Sequence, residues 1–260
     1  MILDAIVANK RIEVETRKQA LPRHQLEERI ERLPAPRDFR GELRREGISL
    51  IAEVKRQSPS RGNILPDMDV AHLAVLYEQS GARAVSVLTD HKFFGGSLDD
   101  LTKVHTQTKL PCLRKEFIID PYQIYEARAA GAAAVLLIVR ILSDEELRGL
   151  HSLCRTLEMS ALVETHTEDE ILRAIDCGAH IIGINNRDLD TLEIDLGTTL
   201  RLKKRVSGGH TLVSESGIHT RRDVQMLEDG GVDAILVGES ILTSENIGGK
   251  IRELLGHDQD

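Results

Sequence analysis

Glu53 and Lys55 stand two residues apart at the end of an apolar run, Ser49 to Val54, that reads as a buried strand. Strand side chains alternate faces, so an acid and an amine at this spacing point to the same side. Burying both costs desolvation energy unless they pair or serve a pocket. From this segment alone a structural ion pair and half of an acid–base site are both open. The run breaks into a Ser-Pro-Ser-Arg-Gly turn, Ser58 to Gly62. Further along, other apolar runs end in the same manner: at Thr89 and Asp90, Lys115, Arg140, Glu164, Asn185 with Arg187, Glu215 with Ser216, and Gly238. One charged strand end is ordinarily solvated or structural. Two lysines, three glutamates and an asparagine brought to one place are hard to explain as stability. Like and unlike charges held close push pKa values apart, which is how separate acids and bases arise at neutral pH.

What could bring them together is legible in a repeat. Gly81-Ala82-Arg83-Ala84-Val85, Gly131-Ala132-Ala133-Ala134-Val135, Gly178-Ala179-His180-Ile181-Ile182 and Gly231-Val232-Asp233-Ala234-Ile235 share one pattern and recur about every 50 residues. Each follows a helical stretch and precedes a β-branched run, with glycine placed to end the helix in the left-handed conformation. That interval holds two strand–helix units, so a second strand is expected in each. Leu50–Lys55, Pro111–Lys115, Ala161–Glu164 and Thr211–Glu215 fill those places. The helices between them include Asp69–Gln79, Tyr122–Ala130, Asp144–Arg155 and Arg221–Asp229.

Eight short strands, apolar on both faces and alternating with amphipathic helices, predict a parallel sheet covered on its outside. The regularity, and the absence of a GxGxxG turn after the first strand, favour a closed (β/α)₈ barrel over an open doubly wound sheet. The length of 260 residues suits one such barrel. A single domain is expected, with residues 1–45 as an amino-terminal helical arm and 46–256 as the barrel. In the arm, Leu3, Ile6 and Val7 make one apolar face and Leu26, Ile30 and Leu33 a second, punctuated by Pro22, Pro34 and Pro36. The arm is expected to pack on one end of the barrel.

Chemistry in a barrel lies at the carboxyl ends of the strands, where the charged groups above fall. The last two strands end instead in small-residue turns, Ser214-Glu215-Ser216-Gly217-Ile218 and Val237-Gly238-Glu239-Ser240. Small residues let backbone N–H groups approach a ligand, and loops after the seventh and eighth strands are the usual phosphate site of this fold. Gly217, Gly238, Glu239 and Ser240 are therefore the candidate phosphate residues. Each glycine alone is equally a turn residue.

Composition narrows the function. A net charge of −8 and 3% aromatic residues without Trp give no electrostatic or stacking match to nucleic acid. The three cysteines, Cys112, Cys154 and Cys177, lack CxxC spacing and read as reduced, buried thiols. The ten histidines form no HExxH or Cys/His cluster, so no metal is expected. The first residues lack the apolar core of a signal peptide, and the longest apolar run, Gly131 to Val139, is too short to span a bilayer. A soluble, cytoplasmic chain with no membrane partner is expected.

Taken together, Glu53-x-Lys55-x-x-Ser58-Pro59-Ser60-x-Gly62, Ser86 to Asp90 with Phe93-Phe94-x-Gly96-Ser97, Leu113-Arg114-Lys115-Glu116-Phe117-Ile118, Val163-Glu164, Gly183-Ile184-Asn185-Asn186-Arg187-Asp188-Leu189 and the two small-residue turns resemble indole-3-glycerol-phosphate synthase over essentially the whole chain. The resemblance implies an anthranilate ring joined through nitrogen to a deoxyribulose 5-phosphate, closed to an indole with loss of CO₂ and water, in tryptophan biosynthesis. It implies Lys115 as the acid on the ketone, Lys55 as a second acid near the phosphate, Glu164 and then Glu53 as base. Asn185 and Glu215 would position hydroxyls and lysines, and Arg187 would hold the carboxylate. Ser58 and Ser216 are further substrate-binding candidates, and Phe94 and Phe117 either flank the ring or pack as core. No cofactor is implied, the sole partner is a phosphorylated small molecule, and a monomer or weak homo-oligomer is expected. Glu239 departs from the pattern of some relatives, which carry a serine, so that phosphate contact falls to backbone N–H or Ser240; Arg140 replaces a lysine of some relatives and stays cationic without a catalytic role. Three other readings are open: a Schiff-base aldolase built on Lys115, a sister isomerase using Cys and Asp, and a catalytically idle phosphate-binding barrel.

Overall fold

The computed structural model describes residues 2–59, 61–65, 68–206 and 208–257. Ser60, part of the turn motif after the first strand, lies outside the described residues. Eight parallel strands close into a barrel: β1 (Ser49–Val54), β2 (Ala84–Leu88), β3 (Cys112–Lys115), β4 (Ala134–Ile138), β5 (Ser160–Thr165), β6 (Ile181–Asn185), β7 (Thr211–Glu215) and β8 (Ala234–Val237). The seam closes where Ser49 of β1 pairs with Ala234 of β8. Gln57–Ser58 and Gly62–Asn63 add a small antiparallel ribbon above β1.

The glycine repeat works as expected. Gly81, Gly131, Gly178 and Gly231 all have positive φ, between 74° and 103°. In each copy the glycine N–H and the next N–H bond back to the last helical carbonyls, as in Gly81 to Glu78 and Ala82 to Tyr77. This double closure ends the helix and turns the chain into the strand. A fifth copy hides before β5: Glu158 has φ 59°, and Met159 N–H reaches the Cys154 carbonyl. Helix starts are set by side chains: Asp69 caps Val70–Gln79, and capping boxes at Asp120/Gln123, Ser143/Glu146 and Thr220/Asp223 open the helices after β3, β4 and β7.

Two apolar regions result. One lies between strands and helices and holds Val85, Val135, Ile182 and Ile235; the other fills the barrel with Ile51, Ala84, Leu113, Ala134, Leu162, Ile181, Val213 and Ala234. The arm is not confined to one end. Its first helix, α1 (Ile2–Ala20), reaches the mouth side, where fully buried Lys10 lies 2.8 Å from Asp90 and 3.1 Å from Glu116. The second, α2 (Arg23–Ile30), packs Leu26 against Tyr122 and Tyr125 of helix Pro121–Ala129. The third, α3 (Phe39–Leu43), sends Phe39 and Leu43 into the barrel interior among the first residues of the strands, plugging the opposite end. Cys112 and Cys154 are buried free thiols, whereas Cys177 is only half-buried. No helix among the described residues is long and apolar enough to cross a membrane.

Candidate active site

Following the period of two inward along each strand gives layers. Two residues above Ile51, Leu113, Leu162 and Val213 on the odd strands come Glu53, Lys115, Glu164 and Glu215. Four strands thus bring one lysine and three glutamates into a single layer, directly over an apolar one. The next layer comes from the even strands, with Leu88, Ile138, Asn185 and Gly238, and all eight residues line one cavity of about 210 Å³.

Lys115 occupies the centre. Its Nζ donates to Glu215 Oε2 at 2.6 Å and lies 3.5 Å from Glu164 Oε2. Burial works against its charge, but the Glu215, Glu164 and Glu53 carboxylates outweigh it and raise its pKa. Burial, with the Glu164 charge adding to it, pushes Glu215 up to about 7 even though Lys115 opposes the shift. Glu164 and Glu53 are buried too, but nearby cations prevail and lower both: Lys115 and His166 for Glu164, Lys55 and Lys115 for Glu53. Lys55 Nζ donates to Glu53 Oε1 at 2.6 Å, so the opening pair is an ion pair and lines the cavity as well.

Two glycines make room for this layer. A Cβ at Gly183 of β6 would collide with Glu215 Oε1, and one at Gly238 would come within 2.6 Å of Glu53 Oε1. Gly238 therefore serves the acid layer at least as much as any ligand above it. On the β7 side, Ser216 and Gly217 both have positive φ, 68° and 81°. That conformation strains a serine, and such strain gathers at ligand sites. Ser240 lines the cavity but donates its hydroxyl to the Ile218 carbonyl at 2.8 Å, and Glu239 is paired with Arg61 at 2.5 Å. Backbone N–H groups and the Ser216 hydroxyl, which lines the cavity, are then the donors left to these turns.

The cavity also takes in Phe94 and Phe117, whose ring centroids lie 5.9 Å apart, and Arg187, whose backbone N–H donates to Asn185 Oδ1 at 3.0 Å. Ser58 is not among its lining residues and sits in the ribbon, where its hydroxyl accepts from Arg61 N–H. Arg140 lies outside as well, paired with Asp190 at 2.6 Å. Sequence reasoning missed the greasy walls, Leu136, Ile194, Ile218 and Leu236, because apolar residues at such positions look like core. It also missed Asn186, which is buried and ties Ser214, the Glu215 and Ser216 carbonyls and Thr199 together behind the site. Among the described residues no group of three or more His, Cys, Asp and Glu is arranged to hold a metal.

Fold and charged layer together define a (β/α)₈ barrel with a buried layer of acids and a lysine at the carboxyl ends of its strands. The family model described as indole-3-glycerol phosphate synthase matches residues 3–254. Indole-3-glycerol phosphate synthases of Dehalococcoides mccartyi (strain 195) and Roseiflexus sp. (strain RS-1) are 49% and 48% identical; the match covers 98% of this chain in both cases, and 100% and 98% of theirs. Among solved structures, the α-subunit of tryptophan synthase from Pyrococcus furiosus is similar in fold, with a TM-score of 0.62 at 17% identity over 80% of this chain and 98% of that one. The chain belongs to the indole-3-glycerol phosphate synthase family.

Proposed function

We propose that this chain converts 1-(2-carboxyphenylamino)-1-deoxyribulose 5-phosphate to indole-3-glycerol phosphate, CO₂ and water, with the following division of labour. The ring carbon that bears the carboxylate attacks the ketone, and Lys115 gives the ketone oxygen its proton. CO₂ leaves and restores the benzene ring. Lys55 protonates the departing hydroxyl, while Glu164 takes the proton from the carbon beside nitrogen as the new ring becomes aromatic. Glu53 orients Lys55, and Asn185 and Glu215 hold the hydroxyls and Lys115. Arg187 takes the carboxylate with its forked guanidinium, Phe94 and Phe117 flank the ring, and the turns at Gly217 and Gly238 take the phosphate.

The observation that carries this reading is Lys115 held between Glu215 and Glu164 in a buried layer. Its carboxylate neighbours keep the amine charged, which suits an acid and not the neutral nucleophile of a Schiff-base aldolase. An alkoxide forming at the ketone is far more basic than any lysine, so a raised pKa does not prevent the transfer. The test is the appearance of indole fluorescence when purified protein meets the carboxyphenylamino substrate. Its absence, or a lysine adduct trapped by borohydride, would overturn the reading.

A further inference from the structure

His166 follows Glu164 by two residues, one past the end of β5, and its ring lies beside that carboxylate. Helix Glu168–Asp176 starts just beyond and brings Glu170 back onto it. Glu170 Oε2 accepts from the His166 backbone N–H at 2.6 Å and lies 3.2 Å from its Nδ1. A carboxylate only accepts, so Nδ1 carries hydrogen. On its other side the ring sets Nε2 3.5 Å from Glu164 Oε1, in a position 93% buried, since the side chain is 7% exposed. That Nε2 is buried and has no hydrogen-bond partner among the described residues. The charged groups facing the ring are Glu170 from the helix and Glu164 and Glu215 from the barrel, all acidic.

The two oxygens of Glu164 are thereby split. Oε2 faces Lys115 and Oε1 faces His166. Two lone pairs facing each other across 3.5 Å repel, whereas one proton between Nε2 and Oε1 satisfies both. With that proton on the ring, Glu164 is ionised and ready to accept another.

We propose that His166, held by Glu170, is a positioning residue for Glu164: it binds Oε1, turns Oε2 toward Lys115 and the substrate, and keeps the carboxylate ionised between turnovers. Nothing in this scheme has His166 touch substrate, and it rests on the assignment of Glu164 as the base.

The experiment compares His166→Asn, Glu170→Gln, the double variant and Glu164→Gln in steady-state kinetics across pH 5–9. Both single variants are expected to lower kcat by roughly tenfold or more while KM stays within about twofold, because the loss falls on the transition state. The double variant is expected to lose no more than His166→Asn alone, since both remove one interaction. Wild-type kcat is expected to fall on the alkaline side, where the ring loses its proton, and this fall is expected to vanish in His166→Asn. Should that variant fold poorly, Glu170→Gln, altered on a partly exposed helix start, carries the kcat-against-KM comparison. Wild-type kcat and pH profile in His166→Asn, beside an inactive Glu164→Gln, would overturn this inference and leave the base assignment standing. Wild-type kcat in Glu164→Gln would instead remove the base assignment itself.

Discussion

At the scale of single residues the site is an exercise in opposed charges. On the proposed role of Lys115 as an acid used only in the transition state, Lys115→Met is expected to lower kcat by about 10³-fold or more while substrate binding changes less than about tenfold. Glu164→Gln, nearly isosteric, is expected to behave alike with the fold intact; loss of stability without loss of activity would make Glu164 merely the lysine's partner. Glu215 gives a pH prediction. Its pKa rises from 4.5 to about 7 on folding, so the folded state holds the extra proton between those values. The stabilisation is therefore complete below about pH 4.5 and lost as pH climbs through 7. Glu215→Gln lacks this titration. Relative to wild type, its unfolding free energy is expected to improve between pH 5 and pH 8 by a few kcal/mol at most, on the order of 1–3. Parallel melting profiles for the two proteins would show that Glu215 is ionised throughout.

At the scale of elements, the arm ties the two ends of the barrel together. Lys10 sits without solvent between Asp90 and Glu116 at the ends of β2 and β3. Glu116 in turn accepts from the Thr89 hydroxyl and the Phe117 N–H, beside the cavity. Lys10→Met leaves two carboxylates buried without their cation and is expected to cost about 3–5 kcal/mol in urea unfolding. Adding Asp90→Asn and Glu116→Gln to it is expected to recover part of that loss; an unaltered midpoint in Lys10→Met would mean that the two remaining carboxylates are compensated by water or by Arg114, 3.7 Å from Glu116. This pairing was not legible beforehand. A lysine at that place on an amphipathic helix reads as a solvated face, and only the tertiary position of α1 reveals its partners. The helix periods and glycine turns were legible because each is local. Glu158 concealed its turn for the converse reason: it adopts φ 59° without the residue that advertises it.

The whole molecule is a closed ring of strands with an inserted plug. We propose that residues 1–45 and 46–256 do not separate as folding units, because Phe39 and Leu43 are fully buried in the barrel interior. Deletion of residues 1–33 is expected to leave a folded but weakened barrel. Deletion through residue 45 opens a void where two large side chains stood, and is expected to abolish cooperative melting by circular dichroism. A sharp transition in the longer deletion would show the plug to be dispensable. The barrel and the charged strand ends could be read from sequence because both follow from periods of two and of about 50 residues. The plug could not, since Phe39–Leu43 spans five residues with no repeat of its own.

The alternation of layers has a consequence for how such a molecule can change. Odd strands supply Glu53, Lys115, Glu164 and Glu215, while the layer above them, Leu88, Ile138, Asn185 and Gly238, is supplied by even strands. None of the four even-strand residues carries a charge, and only two of them touch the odd-strand set: Asn185, which hydrogen-bonds Glu164, and Gly238, which backs onto Glu53 as Gly183 does onto Glu215. On the proposed roles, the proton-handling residues and the apolar walls of the cavity, Leu88 and Ile138, are thus written on different segments of the gene. Random variation confined to Leu88 and Ile138 would explore new ring shapes while the proton-handling set is inherited unchanged, so a library directed at those codons should yield altered selectivity far more often than dead protein.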